Sequence, residues 1–443
     1  MASFVVAIGQ MDQADWMFAM TASVERAVVE GPTSDLPFVH GAPNRTMFWN
    51  AFLDTHVPKD CMLQCDPFSF YKTCMELPTT QPALLQGLDA FSMVQVGSVA
   101  GDRRLLEQAT NTYARALSAL HSALSSPQLI SDDHVLAAAM VLQMCEFYTD
   151  LASPKGLGWG SHILGVQNML FNRGQDSFRS DLSLQLFAHA RSGALCHALL
   201  IRKSSPFAEP GWQAVAQRMS RRDQSSAFHD IAVQVPGLLE RYDNLELRVD
   251  AIDAIIAEAA RIETDMRNWL ASSDLHYSTQ PISDFNNFAT LCSDRTFGDA
   301  YMFANFMVAS LYSKYWICLY FIRTTVRALH AARAIAGHGD APGDAVQDEE
   351  LLGYIVDLCH YIPYFCEAAS CSIGNIGMFF PMRTAALYFI ERGLETEAKW
   401  ISQVRTNVLN KGLAPPSVDD LQLSHCNDWI TDRPSVVECF LRR

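Results

Sequence analysis

The sequence is poor in charged residues and poorest in basic ones. Charged residues make up 18% of the 443 positions and hydrophobic residues 49%, while 33 lysines and arginines stand against 48 aspartates and glutamates, a net charge of −15. This much apolar material supports a large core and excludes a chain that is disordered throughout. The acidic balance disfavours non-specific nucleic-acid binding, because that binding comes from basic side chains that neutralise phosphates.

No stretch has the pattern of a secretory signal or a membrane span. The N-terminal segment MASFVVAIGQMDQADW has no basic residue ahead of its short apolar stretch, so we do not expect a signal peptide. The longest apolar stretch, 301–322, contains Lys314, and a lysine near the centre of a span costs about 3 kcal/mol on insertion scales. We predict a buried helix there, a cytoplasmic location and reduced cysteines.

The cysteines lack the spacing of a metal site. Cys61, Cys65 and Cys74 give C-x3-C and C-x8-C with one lysine nearby, whereas a six-cysteine zinc cluster begins C-x2-C-x6-C among several basic residues. We therefore predict core cysteines and no zinc. The sequence also lacks G-x-S-x-G, H-E-x-x-H, the P-loop and G-x-G-x-x-G, so no nucleotide cofactor is expected.

Helical periodicity dominates from about residue 85, and alternating strand patterns are scarce. Residues 1–84 are irregular and contain seven prolines. We predict an N-terminal lead-in over 1–84 that packs on the body, and an all-α multi-helix domain over 85–443. Ser131-Asp132-Asp133 and Ser161 are predicted to begin helices, and Gly174 to end one. Further helices are predicted at 181–201, 226–242, 247–271, 299–336, 351–372 and 383–411, with a loop at 272–284.

Five segments, taken in order, resemble motifs of the fungal-specific transcription factor domain. They are ATNTYARALSALHSAL with SDDHVLAAAMVLQMCEFYTD, WGSHILG ending at Arg173-Gly174, ANFMVASLYSKYWICLYFIR, VDLCHYIPYFCEAASCSIG, and the segment from Phe380-Pro381 through Trp400 to Gly412. The resemblance covers about residues 85–415 and implies the all-α regulatory domain of zinc-cluster regulators. It is carried by packing residues, so we interpret His162, Glu146 and Asp133 as structural.

The resemblance departs from the family at two points. Trp316 follows Tyr315 where the family usually has an arginine. Family regulators usually also carry a zinc cluster, a basic linker and a coiled coil, none of which is in this sequence. We therefore do not expect the chain to read DNA alone, unless an upstream exon encodes a zinc cluster.

Two functions remain open. One is a transcriptional regulator or co-regulator of a biosynthetic gene cluster, without its own DNA-binding domain, located in the nucleus and holding a ligand or a partner protein. The other, which the aromatic interior leads us to favour, is an enzyme of fungal secondary metabolism. It would be a helical body repurposed as a magnesium-dependent sesquiterpene cyclase, a lyase that takes a hydrophobic prenyl diphosphate. Direct nucleic-acid binding is not expected in either case, and a homodimer is left open.

The cyclase hypothesis depends on residues before and within one apolar helix. Asn286, Thr290 and Asp294 stand at i, i+4 and i+8, which places three oxygen ligands for Mg²⁺ on one face if the segment is helical. The spacing resembles the second metal motif of class I terpene cyclases, although their aspartate-rich first motif is absent and chance remains an alternative. Lysine and aromatic side chains would hold a diphosphate and stabilise a cation. The predicted catalytic residues are Lys314, Tyr315 and Trp316, and the predicted substrate-binding residues are Phe288, Phe306, Tyr312 and Arg323.

Overall fold

The computed structural model describes residues 42–61, 68–76, 81–126, 128–129, 131–149, 151, 158–218, 224–245, 248–335 and 346–414, with side chains from residue 45 onward. These residues form helices, one two-stranded sheet and connecting turns, which confirms the predicted all-α fold class. Within these ranges, no helix combines the length and the hydropathy that a membrane span requires. Contacts group the chain into two compact units, with the division at Gly193.

The first unit takes the described residues up to Gly193 together with 409–414. Its helices are α1 (Ala42–His56), α2 (Ser69–Glu76), α3 (Pro82–Ala100), α4 (Arg103–Leu124), α5 (Asp133–Cys145), α6 (Gly158–Arg173) and the first part of α7 (Asp181–Ile201). Helix α3 packs against α1, α4 and α5, and α5 packs against α6. Every residue of α5 from Val135 to Cys145 is buried, so this apolar helix forms the centre of the unit's core.

The ends of these helices follow local chemistry. Asp132 Oδ1 accepts the backbone N–H of His134 at 2.7 Å, which confirms the predicted cap of α5. Gly174 has φ 71° directly after α6, which confirms the predicted stop. Ser161 was predicted to begin this helix, but α6 begins at Gly158 and Ser161 lies in its first turn.

The second unit takes the described residues from Ala194 to Val408. Its further elements are α8 (Pro210–Ala216), α9 (Gln224–Ala232), α10 (Val235–Asp243), α11 (Val249–Ser272), β1 (Tyr277–Pro281), α12 (Asn286–Leu291), β2 (Asp299–Phe303), α13 (Phe306–Ile335), α14 (Asp348–Cys366), α15 (Cys371–Gly377), α16 (Phe379–Glu391) and α17 (Glu395–Leu409). Helix α13 is the longest of these and packs against both α11 and α14. It therefore forms the axis of this unit.

Several predicted elements of the second unit differ from the observed ones. The helix predicted at 226–242 is divided into α9 and α10 near Pro236, which lacks an N–H group and lies in the first turn of the new helix. The predicted loop at 272–284 contains β1, and the first residues of the helix predicted at 299–336 form β2. The two strands pair antiparallel from Tyr277 opposite Phe303 to Pro281 opposite Asp299.

The C-terminal helices are shorter than predicted. The helix predicted at 351–372 is α14, which begins at Asp348 and ends at Cys366, followed by the short α15. The helix predicted at 383–411 is divided into α16 and α17, with Gly393 at φ 65° between them. The predicted boundary between residues 84 and 85 lies inside α3. Residues 1–41 of the predicted lead-in lie outside the described residues, so that division stays a prediction.

Candidate functional site

The predicted magnesium ligands do not share a helical face. Helix α12 ends at Leu291, and Cys292 is extended, with φ −139° and ψ 118°. Asp294 therefore lies beyond the helix, where its Oδ1 accepts the N–H and the hydroxyl of Thr296 at 2.9 and 2.8 Å. Asn286 and Thr290 are exposed on α12. The helical geometry assumed for this site is wrong, and the magnesium site itself stays a prediction.

Both ends of α12 are fixed by side chains from other elements. Glu367 accepts the N–H of Phe288 at 3.1 Å at the beginning of the helix, and Asn407 donates to the carbonyl of Leu291 at 2.6 Å at its end. These contacts satisfy backbone groups that a helix end leaves open. They explain why α12 stops before Asp294. Within the described ranges, no group of three or more His, Cys, Asp or Glu residues is placed to hold a metal ion.

Lys314, Tyr315 and Trp316 point in three directions from α13, because successive residues are about 100° apart around a helix. Tyr315 packs against Trp269 of α11, with ring centroids 6.1 Å apart. Lys314 is half-buried near the thiol of Cys196. Burial raises the pKa of this thiol, and the charge of Lys314 lowers it. Trp316 packs against Tyr301 of β2, at 5.7 Å. The three predicted catalytic residues therefore do not converge on one reacting centre.

The predicted substrate-binding residues are also dispersed. Phe288 packs against Trp400 at 5.9 Å, and Phe306 against Phe365 at 4.9 Å. Arg323 donates to both carboxylate oxygens of Glu350, at 2.7 and 3.0 Å, and to Glu263 at 3.4 Å. This guanidinium is therefore committed to joining α13 to α14 and α11. Of the predicted residues, the structure brings together Tyr312 and Trp316, whose rings lie 5.2 Å apart.

Tyr312 and Trp316 belong to a set of five rings that we call the hairpin cluster. Its members are Tyr277 and the β2 residues Tyr301 and Phe303, packed on Tyr312 and Trp316 of α13. Tyr277 lies 4.3 Å from Tyr301 and 4.9 Å from Tyr312, distances of direct ring contact. Tyr277 is 38% exposed and the other four rings are buried. The cluster therefore presents one ring to solvent.

Hydroxyl groups of the hairpin cluster are committed to fixed partners. Tyr301 donates to Asp357 Oδ1 of α14 at 2.6 Å, and Tyr312 donates to the carbonyl of Leu275 at 2.9 Å. Burial raises the pKa of Asp357, while the hydrogen bond from Tyr301 lowers it. Burial raises the pKa of Tyr301, and its contact with Asp357 raises it further. The cluster thus anchors the β1–β2 hairpin to α13 and α14.

In the first unit, the Trp-x-x-His segment contributes to a buried polar cluster. Glu146 is 7% exposed, and its Oε1 accepts the hydroxyl of Tyr113 at 2.6 Å and lies 3.9 Å from His162 Nε2. A Cβ on Gly158 would collide with the Glu146 carboxylate, so a larger residue at the start of α6 would require that carboxylate to move. Sequence reasoning missed the contact between Tyr113 and Glu146, because 33 positions separate them and no local pattern joins them.

The Arg-Gly segment pairs with the start of α5. The side chain of Arg173 is 1% exposed, and its Nη1 donates to Asp133 Oδ1 at 2.9 Å. Ser180 donates to the other oxygen of Asp133 at 2.9 Å. These contacts join the beginning of α5 to the end of α6 and to the residue that precedes α7. Cys61 and Cys74 are buried, and Cys65 lies outside the described residues.

Comparison with known proteins gives one family and one relative. Residues 50–231 match the family described as "Fungal specific transcription factor domain". An uncharacterized protein of Emericella nidulans is 27% identical over 168 residues, which are 35% of this chain and 35% of that protein. The chain thus matches about a third of that relative's length. No solved structure matches the chain. The resemblance to the fungal specific transcription factor domain is therefore confirmed over residues 50–231.

Proposed function

We propose that this chain acts as a transcriptional regulator or co-regulator in a fungus. The observation that carries the proposal is the match of residues 50–231 to the fungal specific transcription factor domain. That match favours the regulator that the sequence left as the alternative to a prenyl diphosphate cyclase. The cyclase hypothesis has no comparable support, because the contacts of Lys314, Tyr315 and Trp316 lie in three different surroundings.

The polar motif residues of the matched segment hold the helices of the first unit together. Asp133 pairs with Arg173, and Glu146 accepts the Tyr113 hydroxyl beside His162. Buried polar groups that bond to each other fix a unique packing of helices, since leaving one unpaired is costly. The proposed regulator holds a ligand or a partner protein, and its output requires the first unit to be folded.

A tethering experiment tests the proposal. The full chain is fused to a heterologous DNA-binding domain and expressed in a fungal host with a matching reporter gene. We expect reporter transcription to differ from that given by the DNA-binding domain alone. The Arg173→Gln fusion should lose the effect because the buried Arg173 no longer pairs with Asp133. The matched Arg103→Gln fusion should keep it, because the Arg103 side chain is 92% exposed.

Deletion of the gene provides the second measurement. We expect transcripts of other genes to change, and a change confined to neighbouring biosynthetic genes would support the predicted link to a gene cluster. A silent fusion and an unchanged transcript profile would contradict the regulator. Magnesium-dependent release of pyrophosphate from farnesyl diphosphate, lost in Asp294→Asn and Lys314→Ala variants, would instead support the cyclase.

A further inference from the structure

A surface cavity of about 210 Å³ lies along α13 in the second unit. Tyr320, Thr324, Arg327 and Ala331 line one side of it, at spacings that place all four on one face of α13. Residues of α14 and α16 form the remaining walls. The cavity is smaller than the roughly 300–1,000 Å³ of sites for drug-sized ligands, so it suits a molecule with a single ring or a short chain.

The polar side of the cavity has an excess of hydrogen-bond donors. Arg327 and Arg392 both contact Oδ1 of Asp348, the latter through Nη2 at 3.0 Å. Two guanidinium groups carry more N–H donors than one carboxylate can accept, although Asp348 and Glu391, which also lines the cavity, balance their two positive charges. The Thr324 hydroxyl lines the same side and is hydrogen-bonded to the Tyr320 hydroxyl. This set is suited to a second carboxylate, which guanidinium groups bind in a planar, two-pronged geometry.

The rest of the lining is apolar or aromatic. Ala328 and Leu351 supply aliphatic surface, and the rings of Tyr320 and Tyr388 lie 6.1 Å apart at 79° to each other. Glu391 also lines the cavity and is exposed, so its negative charge opposes any anion there and opposes an anion with two charges more strongly. Burial raises the pKa of Tyr320, so its hydroxyl stays protonated and can donate to an acceptor.

We propose that this cavity binds a small monocarboxylic acid with an apolar body of about the size of benzoate. The carboxylate accepts from N–H groups of Arg327 and Arg392 beyond those that contact Asp348, and the apolar body lies against Ala328 and Leu351. Only the role of the bound acid rests on the proposed function: the acid would be the signal to which the regulator responds. Binding itself is measured without any transcriptional readout.

Calorimetric titration of the full chain with benzoate tests the proposal, with benzamide as the neutral ligand of matching shape. We expect saturable benzoate binding and at least about tenfold weaker benzamide binding, because a charge-assisted contact is lost. Arg392→Gln should weaken benzoate by about tenfold for the same reason. Ala328→Leu should also weaken benzoate binding, because the larger side chain fills the apolar part of the cavity while every charge stays in place.

Arg248→Gln is the matched control, because Arg248 is an exposed arginine that pairs with an aspartate outside the cavity. It should leave benzoate binding unchanged. Equal binding of benzoate and benzamide, no effect of Arg392→Gln and Ala328→Leu, or no benzoate binding by the folded chain would each overturn the carboxylate site. If the tethered chain still regulates its reporter while benzoate fails to bind, this inference fails and the proposed function stands. If benzoate binds while the fusion is silent and deletion of the gene leaves the transcripts unchanged, the site stands and the proposed function fails.

Discussion

Arg173 is a buried charge that holds two motif segments of the first unit together. Its side chain is 1% exposed, while its partner Asp133 is 29% exposed. Arg173→Gln leaves Asp133 without its charged partner, and partial exposure softens the penalty, so we expect a loss of about 2–3 kcal/mol of unfolding free energy. Urea unfolding measures it, and Arg103→Gln should change stability by less than about 0.5 kcal/mol. Equal losses in the two variants would contradict the structural role of the pair.

His162 links the stability of the same unit to pH. Burial lowers the pKa of His162, which lies 3.9 Å from Glu146, from 6.5 to about 4. Between these pH values the unfolded chain binds a proton that the folded chain does not. Stability is therefore full above about pH 6.5 and falls as the pH drops toward 4, by up to about 1.4 kcal/mol per pH unit for one histidine.

His162→Gln removes this contribution and should flatten the dependence of unfolding free energy on pH between 6.5 and 4. The remaining slope comes from other groups, including His56, whose pKa burial lowers to about 3. The slope of unfolding free energy against pH is compared, and not the unfolding free energy itself, because the substitution also changes packing. His276→Gln is the control, since the side chain of His276 is 78% exposed. A wild-type slope in His162→Gln would show that His162 is not buried in its neutral form.

At the scale of elements, two glycines should respond to alanine with opposite signs. Gly174, after α6, has φ 71° and ψ 161°, a region that essentially only glycine adopts, so Gly174→Ala should cost about 1–3 kcal/mol. Gly353 lies within α14, and a Cβ there would meet no atom within 4 Å. Gly353→Ala should therefore stabilise by about 0.5–1 kcal/mol. Thermal unfolding of both variants checks this, and a shift in the same direction would refute the assignment of one of them.

The helices were more predictable than the hairpin because their signals are local. The predicted 181–201 coincide with α7, and Asp132 caps α5 as its sequence position predicts. Strand β1 has four exposed residues of five and so shows no alternation of apolar and polar side chains. The apolar residues of β2 lead directly into those of α13 and extend its helical pattern. Pairing between the strands, which the local pattern does not contain, decides their conformation.

The candidate sites were less predictable because they depend on contacts across the fold. Asp294 has the right spacing for a helical face, but its carboxylate bonds to the N–H of Thr296, an interaction that competes with helix formation. The cavity beside α13 needs Arg327 and Arg392, which are 65 positions apart and share Asp348. Residue types could be read from the sequence, whereas their convergence required the packing of α13, α14 and α16.

At the scale of the whole molecule, the net charge predicts weak binding to DNA, whichever of the two functional hypotheses holds. A chain with a net charge of −15 repels a phosphate backbone, so we expect no binding of a random-sequence duplex at about 150 mM salt. Fluorescence anisotropy of a labelled duplex measures it, with a basic DNA-binding domain as the positive control. Binding that weakens steeply as salt is raised would contradict the expectation, since it requires basic side chains gathered on one surface despite the overall charge. Because we expect the chain not to bind DNA by itself, we also expect no effect on the reporter when the fused DNA-binding domain is left out. An effect that requires this domain would show that the chain acts after recruitment to DNA and takes no part in reading the sequence.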